Sequence, residues 1–307
     1  MHAKTREGQD LDFRSGRRKL PPEAFAIGPA REPEPADLID APTWHWITSL
    51  PDDVSIRTSD HHGETLRRAH ELWSHWPGLT LDLQSLVADP REDALALALM
   101  IMSDELQASL YAALTGFYRQ AIAGLRPALE ATVAGAYLKA FPDRNRFTRW
   151  ADGHEGGKLW MKKMSQRLAA VAPYAQFDDS EEQALFLESG WVNFVYQRLN
   201  TFSHGRPQYT DDDGNQIPTT NVGLWGGSNG PVYERRSMRL WSVYYFEIGL
   251  LCLLLVGLAE PRVLHVRKAT DLPYFVFLDR VISWRLAPPL AVTKRIVEYL
   301  ATRTPGA

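Results

Sequence analysis

A helical pattern of apolar residues runs almost without a break from Asp93 to Phe141, and this segment constrains the fold most strongly. Apolar side chains recur there every three or four residues, which is the spacing of one face of an α-helix. Alanines between them allow a neighbouring helix to approach closely. The pattern therefore predicts long, closely packed helices that stop at Pro142, with weak points at Gly116, Gly124, Pro127 and Gly135.

Other parts of the chain have the same periodicity and predict further helices. These cover about residues 64 to 76 (ended by Gly78), 180 to 204 (opened by the acidic pair Asp178 and Asp179), 233 to 258, and 289 to 302. No alternation of strand and helix patterns is present, which argues against an α/β fold. The predicted class is all-α: a helical bundle over residues 41 to 307, with a small β-hairpin insertion at about 208 to 232. Residues 1 to 40, rich in proline and charge, predict a disordered tail.

Composition excludes several classes of protein. The formal net charge is −3, so a nucleic-acid surface would have to be a local patch. The chain has one cysteine, Cys252, which excludes an internal disulfide framework and a cysteine-rich zinc site and indicates a cytoplasmic protein. The apolar run at 242 to 259 has the length of a short membrane span but contains Glu247, so we interpret it as a buried helix of the bundle and expect no membrane association.

Several short motifs match known sites only in part. Residues 226 to 230 fit G-x-S-x-G in a turn, not in the strand-to-helix context that a nucleophile needs. Residues 153 to 158 are one residue short of a P-loop, and residues 211 to 215 lack the bidentate glutamate of a calcium loop. Four histidines cluster between His61 and His75, but His70 and His75 do not share a helix face. We therefore predict no metal and no cofactor.

The helix after Gly116 carries polar residues on an otherwise apolar face. Arg119 and Arg126 are seven residues apart, and Glu130 lies four beyond Arg126, within reach of an ion pair. Buried charges need partners, so this pattern favours either a polar site between helices or an ion pair that fixes how the helices align.

The stretch from 196 to 207 closes another helix and places Arg198, Asn200, Ser203 and His204 close together in sequence. Gly205 and Pro207 follow, and neither continues a helix. A guanidinium suits phosphate binding, and an imidazole moves a proton near pH 7. The alternative is a helix cap in which His204 contacts the last carbonyl groups.

These residues resemble the HEPN superfamily (higher eukaryotes and prokaryotes nucleotide-binding). Its signature is an arginine, four to six residues, and then a histidine; Arg198 and His204 have that spacing. The usual polar residue is displaced by one, because Leu199 follows Arg198, yet Asn200 keeps a four-residue step to His204. The segment from 116 to 130 also resembles bacterial HEPN-like proteins. The resemblance covers about residues 95 to 260.

The resemblance implies a metal-independent endoribonuclease that is often dimeric and acts as a toxin or antiviral effector, with a neutralising protein partner. In that hypothesis His204 transfers the proton and Arg198 stabilises the charge on the phosphate. Asn200 orients either His204 or the phosphate. The supporting residues of the site are Arg126, Glu130, Ser203 and Arg119. Six basic residues are predicted to guide RNA: Arg144, Arg146, Arg149, Lys158, Lys162 and Lys163. The alternative is a non-catalytic HEPN-like module that binds a protein partner or a nucleotide.

Overall fold

The computed structural model describes residues 41–87, 93–154, 157–179, 184–204, 208–210, 216–218, 231–266, 272–285 and 290–303. The predicted tail at 1 to 40 lies outside this range. The chain divides into two units, with the boundary between Trp44 and His45. The first unit contributes the short helix α1 (Ala41–Trp44), and everything below concerns the second unit.

The second unit is built mainly of α-helices. A π-helical turn, His45–Ser49, precedes the first of them. The α-helices are α2 (Leu50–Gln84), α3 (Ala94–Leu114), α4 (Tyr118–Ala140), α5 (Arg144–Ala151), α6 (Met161–Leu168), α7 (Trp191–Ser203), α8 (Arg235–Ala259), α9 (Tyr274–Trp284) and α10 (Ala291–Thr302). Short 3₁₀ turns lie at Tyr174–Phe177 and Pro261–Leu264. The predicted all-α class is confirmed.

Two strands of three residues, β1 (Gln208–Thr210) and β2 (Gln216–Pro218), pair antiparallel. Tyr209 lies opposite Ile217 in this ladder. They are the described part of the segment that we predicted as an insertion at about 208 to 232, and the residues between and after them lie outside the described ranges.

The core is centred on α8, which packs against α2, α3, α4, α9 and α10. Every residue from Ile248 to Leu258 is buried. Among the described residues, α8 is the one helix long and apolar enough to cross a membrane. In its most apolar stretch of 18 residues, 83% is buried inside the protein. Burial on all sides is also what the core helix of a bundle requires.

The long helical segment from 93 to 141 is divided at one of its predicted weak points. Gly116 adopts φ +85°, and a Cβ atom there would lie 2.6 Å from the carbonyl oxygen of Val232. Glycine is therefore needed both for the turn and for the close approach. Gly124, Pro127 and Gly135 lie inside an unbroken α4, and that helix ends at Ala140, before Pro142, as predicted.

Three predicted helix boundaries are wrong. The helix predicted from residue 64 is part of α2, which begins at Leu50 and has non-helical backbone angles at His62. Helix α2 continues past Gly78 to Gln84, because the buried side chains Leu79 and Leu83 extend its apolar face. The helix predicted from residue 180 begins only at Trp191. Asp178 does not cap it, since its carboxylate accepts hydrogen bonds from backbone N–H groups of the preceding loop, Phe186 at 2.7 Å and Leu187 at 3.0 Å.

Candidate functional site

One face of α4 carries four polar residues, Arg119, Arg126, Glu130 and Tyr137, which we call the polar stripe. Their spacings of seven, four and seven residues place them within about 40° of one another around the helix. The stripe is about 27 Å long at the usual rise per residue. It includes the face that the sequence predicted from Arg119, Arg126 and Glu130 and extends it to the C-terminal end of α4.

At its centre the stripe contacts α7 through a three-way set of hydrogen bonds. Arg126 Nε donates to Glu130 Oε1 at 3.0 Å, which confirms the predicted ion pair. Arg126 Nη2 donates to the Tyr196 hydroxyl at 3.0 Å, and that hydroxyl donates to Glu130 Oε1 at 3.0 Å. Each group has the partner that its chemistry requires, so the set joins α4 to α7 as one unit.

Burial raises the pKa of the Tyr196 hydroxyl, and the adjacent Glu130 carboxylate adds to the shift. Burial by itself would lower the pKa of Arg126, but Glu130 and Tyr196 outweigh it and the pKa is raised. Near neutral pH Tyr196 therefore keeps its proton and Arg126 keeps its charge. Neither of these two groups is therefore a general base near neutral pH.

At its N-terminal end the stripe meets the end of α7. Arg119 Nε donates to the Phe202 carbonyl oxygen at 2.9 Å, which satisfies one of the last carbonyl groups of that helix. Ser203 and His204 come next and are exposed. The backbone N–H of His204 donates to the carbonyl of Asn200 at 3.0 Å, which places His204 at the C-terminal cap position of α7.

Arg198 does not lie on the side of α7 that carries Tyr196. Arg198 is two residues beyond Tyr196, which corresponds to about 200° around the helix. Its guanidinium stacks instead on the exposed ring of Phe194, with Cζ 4.4 Å from the ring centroid. Asn200 lies about 40° from Tyr196. Its Oδ1 atom is buried and accepts no hydrogen bond from the described residues. The structure thus separates Arg198 from the seam between α4 and α7.

The C-terminal end of the stripe opens into a cavity of about 430 Å³ between α4, α5 and α6, which we call the basic pocket. The Tyr137 hydroxyl there accepts hydrogen bonds from Arg146 Nη1 and from Arg167 Nη1, both at 2.7 Å. The two nitrogen atoms therefore lie no more than about 5.4 Å apart. Two unit charges at that distance repel by about 1 kcal/mol in water and about 3 kcal/mol at a partly buried surface.

Four of the six predicted RNA-binding residues line either the basic pocket or a second groove beside it. Lys158 and Lys163 line the basic pocket with Arg146. Lys162 lines a second groove of about 360 Å³, which Tyr196 also lines. Gln166 borders both grooves, so α6 forms the ridge between them.

The remaining two predicted RNA-binding residues do not line the basic pocket or the second groove. Arg149 is exposed on α5, and Arg144 lines a different cavity, beside Asp93 and Lys139.

The histidines do not form a metal site among the described residues, where no group of three or more potential ligands lies together. His61 stacks on Tyr233, whose hydroxyl lies 3.2 Å from Nε2 of His62. His75 stacks on Phe277 at 3.6 Å. Tyr233 lies just before α8 and Phe277 lies in α9, so these three histidines pack against aromatic side chains from later in the chain.

Sequence reasoning did not select Tyr196, Tyr137 or Arg167 as site residues. The sequence contained a signal for Tyr137, because this residue is seven positions after Glu130 and continues the spacing that links Arg119, Arg126 and Glu130. Nothing in the sequence pairs Tyr196 with Arg126, 70 residues away, because that contact depends on how α4 and α7 pack.

Comparison with protein-family models, with curated proteins and with solved structures gave no match.

Proposed function

We propose that this protein is an HEPN-like, metal-independent endoribonuclease whose reacting groups lie at the C-terminal end of α7. The observation that carries the proposal is the polar stripe of α4, which leads from the basic pocket to the helix end occupied by Ser203 and His204. A single strand of RNA lying along this seam would have cations under its phosphates at one end and an exposed imidazole at the other.

The proposed reaction is transfer of the phosphate within the substrate. His204 takes the proton from a ribose 2′-hydroxyl, and that oxygen forms a bond to phosphorus while the bond to the 5′-oxygen breaks. The leaving 5′-oxygen receives a proton, either from His204 or from water. The products are a 2′,3′-cyclic phosphate and a free 5′-hydroxyl.

Charge on the phosphate needs a cation, and two arginines are candidates. Arg198 has the spacing that the family resemblance implies. Arg119 is held at the last turn of α7, one residue before Ser203, by its hydrogen bond to Phe202. Comparing Arg198→Gln with Arg119→Gln assigns the role, because loss of the stabilising charge lowers the rate of cleavage at saturating RNA.

The test is cleavage of an end-labelled RNA in EDTA by the wild type, by His204→Ala and by His154→Ala. His154 is a matched control, because it is a second exposed histidine in a turn after α5. We expect His204→Ala to lower the rate at least about 100-fold, the usual contribution of a general acid or base. The same sequence as DNA has no 2′-hydroxyl and should remain intact.

Mass spectrometry of the 3′ ends should find the cyclic phosphate. Equal cleavage by His204→Ala and His154→Ala, or cleavage that EDTA removes, would refute the proposal.

The resemblance also implies a cytoplasmic homodimer that acts as a toxin or antiviral effector and is neutralised by a protein partner. We include these in the proposal. Growth arrest on induction of the wild type, absent with His204→Ala, supports a toxin role, and light scattering gives the oligomeric state.

The position of Arg198 favours a second candidate, a non-catalytic module that binds a protein partner or a nucleotide. Arg198 stacks on Phe194, which is 50% exposed, and arginine and aromatic side chains are enriched at binding surfaces. In this case His204→Ala changes stability and no activity is lost. Phe194→Ala then weakens partner binding.

A further inference from the structure

The basic pocket concentrates positive charge in a small, concave space. Four cationic side chains line it, Arg146, Lys158, Lys163 and Arg167, and no acidic side chain lines it among the described residues. Asp143 lies 3.9 Å from Arg146 but outside the pocket. Like charges gathered in this way repel one another, and a bound anion with more than one negative charge removes that repulsion.

The two guanidinium groups are held in place before any ligand binds. Both donate to the same buried hydroxyl, that of Tyr137. The Cζ atom of Arg167 also lies 5.2 Å from the ring centroid of Phe141. Side chains fixed by their neighbours lose less conformational entropy on binding, so the remaining N–H groups are pre-organised donors for an oxyanion.

An exposed aromatic ring lies at the edge of the same pocket. Trp160 is 57% exposed, and the ammonium group of Lys158 lies 4.6 Å from the centroid of its ring. A tryptophan in this position offers a flat face on which a base can stack. The cavity of about 430 Å³ is in the range of small-molecule sites.

We infer that the basic pocket is a binding site for a phosphomonoester dianion attached to a base, either a free mononucleotide or the 5′-phosphate end of an RNA. A phosphomonoester carries up to two negative charges near pH 7, whereas each internal phosphate of an RNA carries one. Two arginines and two lysines match the more highly charged group. This inference concerns binding alone and does not depend on the cleavage proposed above.

The test measures binding of radiolabelled AMP to the full chain by equilibrium dialysis, with adenosine and inorganic phosphate as competitors. We expect adenosine to compete at least about tenfold more weakly than AMP, because it lacks the charged group. Lys163→Gln should weaken AMP binding about tenfold. Lys162→Gln is the matched control: it removes the same charge from the neighbouring position of α6, which borders the other groove, and it should change the affinity less than about twofold.

Trp160→Ala should weaken the binding of AMP and leave the binding of inorganic phosphate unchanged, because phosphate has no base to stack on the ring. The two sources are distinguished with a short RNA carrying a 5′-phosphate or a 5′-hydroxyl, bound to the His204→Ala variant. A 5′-phosphate preference that Lys163→Gln removes assigns the RNA end, and AMP binding without this preference assigns the free nucleotide. Adenosine binding as tightly as AMP, or equal losses in Lys162→Gln and Lys163→Gln, would overturn the inference even if the protein cleaves RNA.

Discussion

At the scale of single residues, the hydroxyl of Tyr196 connects two charged side chains of another helix. It accepts from Arg126 and donates to Glu130, both at 3.0 Å. The ring of Tyr196 also lies beneath the Arg126 guanidinium, 5.1 Å from Cζ to the ring centroid. Removing the hydroxyl keeps the ring and deletes only the two hydrogen bonds, so its contribution is measurable.

We expect Tyr196→Phe to lower the free energy of unfolding by about 1 kcal/mol. The loss is moderate because Arg126 and Glu130 are partly exposed and water replaces the missing partner. Urea denaturation followed by circular dichroism gives the value. Tyr111→Phe, at a tyrosine 60% exposed on α3, is the control and should change stability by less than about 0.5 kcal/mol. Equal effects of the two substitutions would mean that the hydrogen bonds of the Tyr196 hydroxyl do not stabilise the fold.

At the scale of helices, α4 carries two glycines whose surroundings differ. A Cβ atom at Gly135 would lie 2.7 Å from Cβ of Ala98 and 3.2 Å from the carbonyl oxygen of Ala94, both on α3. A Cβ atom at Gly124 would have Oε2 of Glu105 as its nearest neighbour outside the α4 backbone, at 3.9 Å, which is ordinary van der Waals contact. Glycine at 135 therefore permits the close contact of α3 and α4, and glycine at 124 does not serve packing.

The same substitution should consequently have opposite effects at the two positions. We expect Gly135→Ala to destabilise the fold by about 1–2 kcal/mol, because forced separation of two helices outweighs the better helix propensity of alanine. Gly124→Ala should stabilise it by about 0.5–1 kcal/mol. Both values come from the shift in denaturation midpoint. Destabilisation by Gly124→Ala would show that this part of α4 needs glycine for another reason, and a neutral Gly135→Ala would show that α3 and α4 can move apart without cost.

At the scale of the whole molecule, the single cysteine reports on the integrity of the core. Cys252 is fully buried in the centre of α8, and the Thr132 hydroxyl of α4 donates to its sulfur at 3.3 Å. Burial raises the pKa of its thiol to about 12, so almost no thiolate forms at pH 8. Both the missing thiolate and the missing access protect it from modification.

Labelling of Cys252 by a thiol reagent at pH 8 should therefore require unfolding of the helical unit. We expect the labelling rate to rise with urea in proportion to the unfolded fraction seen by circular dichroism. Cys252→Ala should not be labelled at any urea concentration, because no other cysteine is present. Rapid labelling without urea would show that α8 becomes exposed while the remainder stays folded.

The sequence by itself determined the helical class, the C-terminal end of α4 and the ion pair within that helix. Each of these depends on residues near one another in the chain: Phe141 and Pro142 stop α4, and Arg126 and Glu130 are one turn apart. Local spacing also identified the cationic segment from 144 to 163, because lysine and arginine are visible without a fold.

Only the tertiary structure decided which of these residues meet. The contact of Tyr196 with Arg126, the convergence of Arg146 and Arg167 on Tyr137, and the assignment of Lys162 and Lys163 to different grooves all depend on the packing of separate helices. Two of the three wrong helix boundaries have the same cause: buried Leu79 and Leu83 carry α2 past Gly78, and the loop before α7 uses the Asp178 carboxylate. Helix propensity at such points is worth about 1 kcal/mol or less per residue, and burial and long-range hydrogen bonds outweigh it.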